Sequence, residues 1–335
     1  MNLTTFDSAH WLRELPEDVE AREVPGAASS CDSGFGGEAG HGASALCNIL
    51  REAGRLSEED AARIARVQRD KGLSFEEAGL SLGVLCDEDI EFAQARQFDY
   101  PYLFEGDWQV STELVAAYRP ASPEVEQLRA LRTELRLRWF DAVMGPGGQG
   151  VPVGDAPARA GGRLLAVVGT GHGDGRSWLA ANLAVAFAQQ NEPTLLIDAD
   201  LRRPRQHQLF NATNEVGLST VLANHAEPGA VLQRVPALPH LSLITAGAVP
   251  PNPQELLGRP AFARLLEEAA REHSVVLIDT PAAAPYADAR TIAARAGGAM
   301  LVVRRARTRL AEAGQLAAGL ARHGVQLVGS VLNHY

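Results

Sequence analysis

One run of this 335-residue chain concentrates residues that bind anions: Gly169-Thr170-Gly171-His172-Gly173-Asp174-Gly175-Arg176-Ser177, set between the apolar run LLAVV and the helical pattern SWLAANLAVAFAQQ. Glycines let successive backbone amides turn toward one point, and the start of a helix adds its positive end. Such a loop holds phosphate oxygens mainly through N–H groups. Ser177 would offer its hydroxyl to a magnesium ion. The run departs twice from the usual phosphate-loop pattern, with Thr170 at its first glycine and Arg176 at its lysine. Arginine keeps its charge, but its planar fork is bulkier than an ammonium and places that charge differently. The residues expected to bind nucleotide are Gly171, Gly173, Asp174, Gly175, Arg176, Ser177 and Trp178.

Carboxylates stand at the ends of two more apolar runs. LLIDADLRRP places Asp198 and Asp200, and VVLIDTP places Asp279, where strands of a parallel sheet would end. Ligands of open α/β sheets bind at that carboxyl edge. A carboxylate there is costly to bury alone, and Mg2+ with its waters is a natural counterpart. Any one of these aspartates reads equally as a helix cap. Three around one loop describe a magnesium–nucleotide site that works by positioning and charge neutralisation. His172 and Asp288 are given no role: the first suits a turn, the second either a place shaping the site or a cap on the helix that follows.

The elements that must hold these residues follow from periodicity. LLAVV, TLLI, LSLIT, VVLI, MLVV and QLVGSVL are short, unalternating and separated by helical stretches, as expected of parallel strands buried on both faces. Residues 163–335 therefore read as an α/β domain, a doubly wound, mostly parallel sheet of P-loop type. Residues 106–162 hold a helix capped by Ser122, with Pro123 in its first turn, followed by the Gly/Pro-rich stretch 145–162. Glu126, Arg129 and Arg132 recur every third residue along one side of that helix; on sequence alone this is a solvated face. Residues 43–105 read as a small helical domain with an internal repeat, GRLSEEDA from Gly54 matching GVLCDEDI from Gly83. In each copy a glycine ends one helix, and Ser57 or Asp87 is placed to cap the next. Residues 1–42 read as a flexible segment, most clearly the Gly/Ser-rich stretch 26–42.

Composition sets the outer limits. Hydrophobic residues make up 46% and charged residues 21%, as in a globular protein. Acidic residues outnumber basic ones 41 to 31, giving a formal charge of -10, so no nucleic-acid partner is expected. No apolar run is long enough to span a membrane, and the first residues lack the basic start of a signal peptide, so a cytoplasmic location is expected. Cys31, Cys47 and Cys86 match no metal or redox spacing. Lys71 is the only lysine among 31 Lys and Arg residues.

The motifs together carry a resemblance. Asp198-Ala199-Asp200-Leu201-Arg202-Arg203-Pro204, Pro250-Pro251-Asn252-Pro253-Gln254-Glu255-Leu256-Leu257 and Glu126-x-x-Arg129-x-x-Arg132 make residues 123–335 similar to the bacterial tyrosine autokinases of exopolysaccharide export. Those cytoplasmic kinases work with a chain-length-determinant membrane protein. The resemblance implies a protein-tyrosine kinase using ATP and Mg2+, with Arg176, Asp198 and Asp200 catalytic and Ser177, Asp198 and Asp279 around the metal. Asp198 would help deprotonate the attacking tyrosine. Glu126, Arg129 and Arg132 would form the interface of a homo-oligomeric ring, and a membrane co-polymerase would activate the kinase through its cytoplasmic tail, drawing it to the membrane's inner face. The family ends in a tyrosine cluster. Of the five tyrosines here, Tyr100, Tyr102, Tyr118, Tyr286 and Tyr335, only Tyr335 is placed as a tail phosphoacceptor.

Two other readings remain. Arg176, the missing tyrosine cluster and the helical domain also suit a nucleotide-binding scaffold of the export machinery with little kinase activity. A partitioning-type ATPase would need its signature lysine where Gly171 stands. Residues 45–102 resemble the N-terminal domain of the ATPases of type II secretion and type IV pili, some of which bind cyclic di-GMP through a repeated Arg-Leu-Gly pattern. Ala45-Leu46-Cys47 and Ser74-Phe75-Glu76 stand at those positions. Cyclic di-GMP is therefore not expected to bind, and a docking module is the reading.

Overall fold

The computed structural model describes residues 3–6, 39–98, 101–103, 109–142 and 162–334. Tyr335, most of the tether expected over 26–42 and most of the Gly/Pro-rich stretch 145–162 lie outside them. The chain divides into two units, residues 17–104 and residues 1–16 with 105–335.

The smaller unit holds α1 (Ala39–Glu52), α2 (Glu58–Lys71), α3 (Phe75–Ser81) and α4 (Asp87–Gln97). Its core gathers Leu50, Ile64, Phe75, Ala78, Phe92 and Ala93. The repeat shows in its turns. Gly54 and Gly83 take φ of +70° and +62° just after α1 and α3, a region that favours glycine. Ser57 caps α2 by accepting from the Asp60 amide at 3.1 Å. At α4 the cap is not Asp87, which is already helical. Cys86, the residue that the repeat aligns with Ser57, holds the N-cap position, and its amide donates to Asp89 Oδ2 (3.2 Å).

The larger unit opens with β1 (Leu3–Phe6), inside the stretch expected to be flexible. It continues with α5 (Val115–Tyr118), α6 (Pro123–Leu135), β2 (Leu164–Gly169), α7 (Arg176–Ala188), β3 (Thr194–Asp198), α8 (Gln206–Leu209), α9 (Leu218–Leu222) and α10 (Pro228–Val231). Then come β4 (Gln233–Arg234), β5 (Leu241–Ile244), α11 (Pro253–Gly258), α12 (Pro260–Glu272), β6 (Val275–Asp279), α13 (Asp288–Ala296), β7 (Gly298–Arg304), α14 (Leu310–Arg322) and β8 (Gln326–Asn333). The sheet order is β1-β8-β7-β2-β6-β3-β5-β4, parallel except at the two antiparallel edges β1 and β4. This is the expected doubly wound sheet.

Every residue of β2, β3 and β6 is buried, which explains why those runs do not alternate. Alternate strand residues such as Leu164, Ala166 and Val168 pack with Phe262, Leu265, Ile292 and Leu316 of α12 to α14. Helix α7 packs against β2, β3, β5 and β6, with α5 and α6 against it. Two buried amides of α7 fasten that layer. Asn182 Oδ1 accepts from the Ala116 amide (3.0 Å), and Gln189 Nε2 donates to the Ala116 carbonyl (2.8 Å). After α6 a π-helical turn, Arg136–Phe140, seats Trp139 over Gly298, and the indole N–H donates to Leu164 O (3.1 Å).

Candidate functional site

The strand ends set the spacing of the site. In the parallel register Val167 of β2 and Asp198 of β3 both lie beside Asp279 of β6, so the glycine loop after β2 and two carboxylates share one sheet edge. Gly173 and Gly175 take φ of +80° and +100°, values that another residue would adopt only with strain. The loop then turns directly into α7, whose first residues are Arg176 and Ser177. Beside it lies a cleft of about 490 Å³, lined by Gly173, Gly175, Ser177, Trp178, Asp200 and Arg203 among others. That volume falls within the usual range for small-molecule sites.

Two loop residues make contacts that the sequence does not show. Asp174 does not face the cleft as a nucleotide contact; it is a buried brace. Its Oδ2 accepts from the Gly171 amide (2.7 Å), its Oδ1 from Thr308 Oγ1 (3.1 Å), and its carbonyl from Asn333 Nδ2 (3.0 Å). Arg176 is only 6% exposed. Its Nε donates to Thr280 O (3.0 Å), and its Nη1 donates to Gly171 O (2.7 Å) and Gly169 O (3.3 Å). Three carbonyls converge where β2 and β6 end, and a planar fork with divergent donors suits them as an ammonium would not.

The carboxylates are wholly buried. Asp198 Oδ1 accepts from the Asp200 amide (3.2 Å), and its Oδ2 accepts from the amides of Arg205 (3.0 Å) and Gln206 (2.9 Å). Burial, and next the neighbouring Asp279, hold its pKa well above the usual carboxylate value. Asp279 is pushed up to about 6 by burial, against the hydrogen bonds of Gln206 and Ser177 and the charge of Arg176. Its Oδ2 accepts from Gln206 Nε2 (2.8 Å), while its Oδ1 is sealed from solvent with no hydrogen-bond partner. A buried carboxylate oxygen without a donor, beside a serine hydroxyl and a second buried carboxylate, fits a hard divalent cation carried on phosphate oxygens.

Several residues at the site are given no role from the sequence. Arg202 makes a two-pronged pair with Asp288, Nε at 2.6 Å and Nη2 at 3.2 Å, and its guanidinium lies 3.8 Å from the centroid of the Tyr286 ring. This pair ties the segment after β3 to the segment after β6. Arg205 pairs with Glu113 at 2.6 and 2.8 Å on the rim of the cleft. Gln206 touches three motifs at once. Asp288 could have been paired with Arg202 from their places after neighbouring strands; a lone glutamine offers no such cue.

The expected interface residues part company. Glu126 is exposed and forms an ion pair within α6 with the half-buried Arg129. Arg132 is instead buried, and its Nη1 donates to Ala186 O on α7 (2.8 Å). A spacing of three drifts around a helix of 3.6 residues per turn, so the third residue has rotated toward the core. No described helix is long and apolar enough to cross a membrane.

A glycine loop feeding α7, with buried aspartates ending the two strands beyond it, defines a P-loop-type α/β nucleotide-binding domain. No family model matches the chain. It is 32% identical over 225 residues to tyrosine-protein kinase YwqD of Bacillus subtilis, covering 67% of this chain and 87% of that protein. It is 34% identical over 220 residues to putative tyrosine-protein kinase EpsB of Ralstonia solanacearum, covering 66% of this chain but only 27% of EpsB. The solved kinase domain of Escherichia coli tyrosine kinase ETK matches with a TM-score of 0.58 and 34% identity, covering 66% of this chain and 79% of that one. The chain belongs to the bacterial tyrosine-protein kinases.

Proposed function

We propose that the chain is a protein-tyrosine kinase that uses ATP and Mg2+ to phosphorylate copies of itself. It would act in exopolysaccharide export with the cytoplasmic tail of a membrane co-polymerase. The observation that carries the reading is a cleft lined by the glycine loop, Ser177 and Asp200, at the sheet edge where the buried pair Asp198 and Asp279 end their strands, with Asp279 Oδ1 left without a donor. The family of named tyrosine-protein kinases favours it over an inactive scaffold.

Ser177 and Asp279 would hold the metal, with Asp198 beside them, and the amides of Gly173 and Gly175 would face the phosphates. Bound Mg-ATP supplies the transferable phosphoryl group and the charge that neutralises it. The chain's own residues position and move a proton. Asp198 is fixed by three backbone amides, and burial raises its proton affinity, so it is suited to take the proton of an incoming tyrosine hydroxyl. Arg176 would act mainly by holding the loop in shape. Glu126, exposed, and Arg129, half-buried beside it, would take part in a contact between subunits, with Arg132 anchoring α6 from within.

The test is incorporation of labelled γ-phosphate into the purified chain, with and without the co-polymerase tail, in wild type, Asp198→Asn and Tyr335→Phe. Phosphotyrosine should vanish in Asp198→Asn while nucleotide binding persists. Loss of label in Tyr335→Phe would make that residue the acceptor, and persistence would move the acceptor to another tyrosine. Undiminished phosphotyrosine in Asp198→Asn would overturn the assignment of the base. A wild type that binds nucleotide but takes no label under either condition would overturn the kinase reading.

A further inference from the structure

Gln206 opens α8 and is wholly buried, yet its backbone N–H and its side-chain NH2 both donate into the site. Its backbone N–H donates to Asp198 Oδ2 (2.9 Å). Its side-chain Nε2 donates to Asp279 Oδ2 (2.8 Å) and to the Ser177 carbonyl (3.1 Å). Both side-chain partners can only accept, so the NH2 end must face them and the orientation of the amide follows from its surroundings. One residue thereby links the start of α7, the end of β3 and the end of β6.

Two acceptors are left over. Gln206 Oε1 and Asp279 Oδ1 are both sealed from solvent, and neither has a hydrogen-bond partner. The two side chains are hydrogen-bonded to each other, so these atoms sit in one small polar region. Buried acceptors are nearly always satisfied, and two orphans on bonded neighbours point to a missing donor or cation. A residue serving only to fasten α8 to the sheet would need its NH2 end alone.

We propose that Gln206 is a positioning residue for the divalent cation: its NH2 pins the Asp279 carboxylate so that Oδ1 is kept for the metal shell, and its Oε1 accepts a hydrogen bond from a metal-bound water. Outer-shell partners of this kind fix the orientation of a ligand, and their loss typically weakens metal binding ten- to a hundredfold. The inference rests on the magnesium–nucleotide reading of the cleft. It goes beyond that reading in giving this glutamine the task of making nucleotide binding depend on the metal.

The experiment follows a fluorescent ADP analogue on the full chain, in EDTA and across a Mg2+ titration. The variants are Gln206→Leu and Gln206→Met, the second unbranched so that a folded variant of similar length is available. Gln208→Leu, at an exposed position of the same helix, is the control. For either Gln206 variant the Mg2+ concentration that half-saturates the metal-dependent gain should rise about tenfold or more. Binding in EDTA should stay within about twofold of wild type, since the loop amides are untouched. An unchanged Mg2+ requirement overturns the proposal. So does a parallel loss of binding with and without metal, which would make Gln206 a structural fastener. If wild type binds no analogue at any Mg2+ level, the nucleotide reading itself fails and the inference falls with it, an outcome distinguishable because it needs no variant.

Discussion

Asp279 is the residue whose charge state should be easiest to observe. Its pKa is raised from 3.8 to about 6, chiefly by burial. In the metal-free protein the folded state therefore holds a proton more tightly than the unfolded chain does. The stability from this group is fully present below about pH 3.8 and is lost as pH rises through about 6. A cation competes with that proton, so the sign for binding is opposite. The Mg2+ needed to tighten nucleotide binding should fall as pH rises toward about 6 and then level off, and Mg2+ titrations with the fluorescent nucleotide between about pH 5 and about pH 8 would show it. A flat profile would mean that Asp279 is already ionised. At this scale the sequence was legible where a residue type forces its chemistry: glycines before a helix and aspartates after apolar runs. It was silent where the partner is backbone. Nothing in the letters around Arg176 shows that the carbonyls of Gly169, Gly171 and Thr280 converge on it, and nothing around Gln206 shows three motifs within reach of one residue.

Helix α7 and the layer upon it show what spacing can and cannot tell. The strands were legible because burial on both faces leaves an uninterrupted apolar run. The docking of α5 was not, because Asn182 and Gln189 look like ordinary polar positions until Ala116 is placed against them. The π-helical turn was hidden too, since it is held by what it meets. A Cβ built on Gly298 would lie 2.3 Å from the Trp139 ring, so the indole seats only on a bare backbone. Gly298→Ala should push Trp139 off its bond to Leu164 and destabilise the larger unit by roughly 1–3 kcal/mol, the usual cost of overpacking. Chemical denaturation followed by tryptophan fluorescence would measure the loss, and an unchanged midpoint would show that the turn can shift without penalty. Because Gly298 lies away from the cleft, nucleotide binding at low temperature should be little altered.

In the molecule as a whole, the α/β sheet and the helical repeat were both readable, but the place of residues 3–6 was not. The segment expected to be loose holds a strand. Leu3 pairs with Asn333 and Phe6 with Ser330, so β1 covers an edge of β8 that would otherwise present open hydrogen-bonding groups. Four residues are too few to stand out as a strand without their partner. Deleting residues 3–6 should expose that edge and raise self-association, visible as increased light scattering on warming at matched concentration. Unchanged scattering would mean that the edge is protected by other means.

That pairing also constrains the order in which the protein can be made. A ribosome delivers β1 well before β8, so the earlier strand must wait for its neighbour while everything between them is made. The helical unit of residues 17–104, whose contacts are local, can form while the sheet is still incomplete. Closing β1 onto β8 joins the first and last of the described elements, a contact whose loop-closure entropy is met only once the elements between them are in place. A nascent chain arrested before β8 would therefore display β1 unattached, and quality-control factors that survey emerging polypeptides would meet that strand before its partner existed.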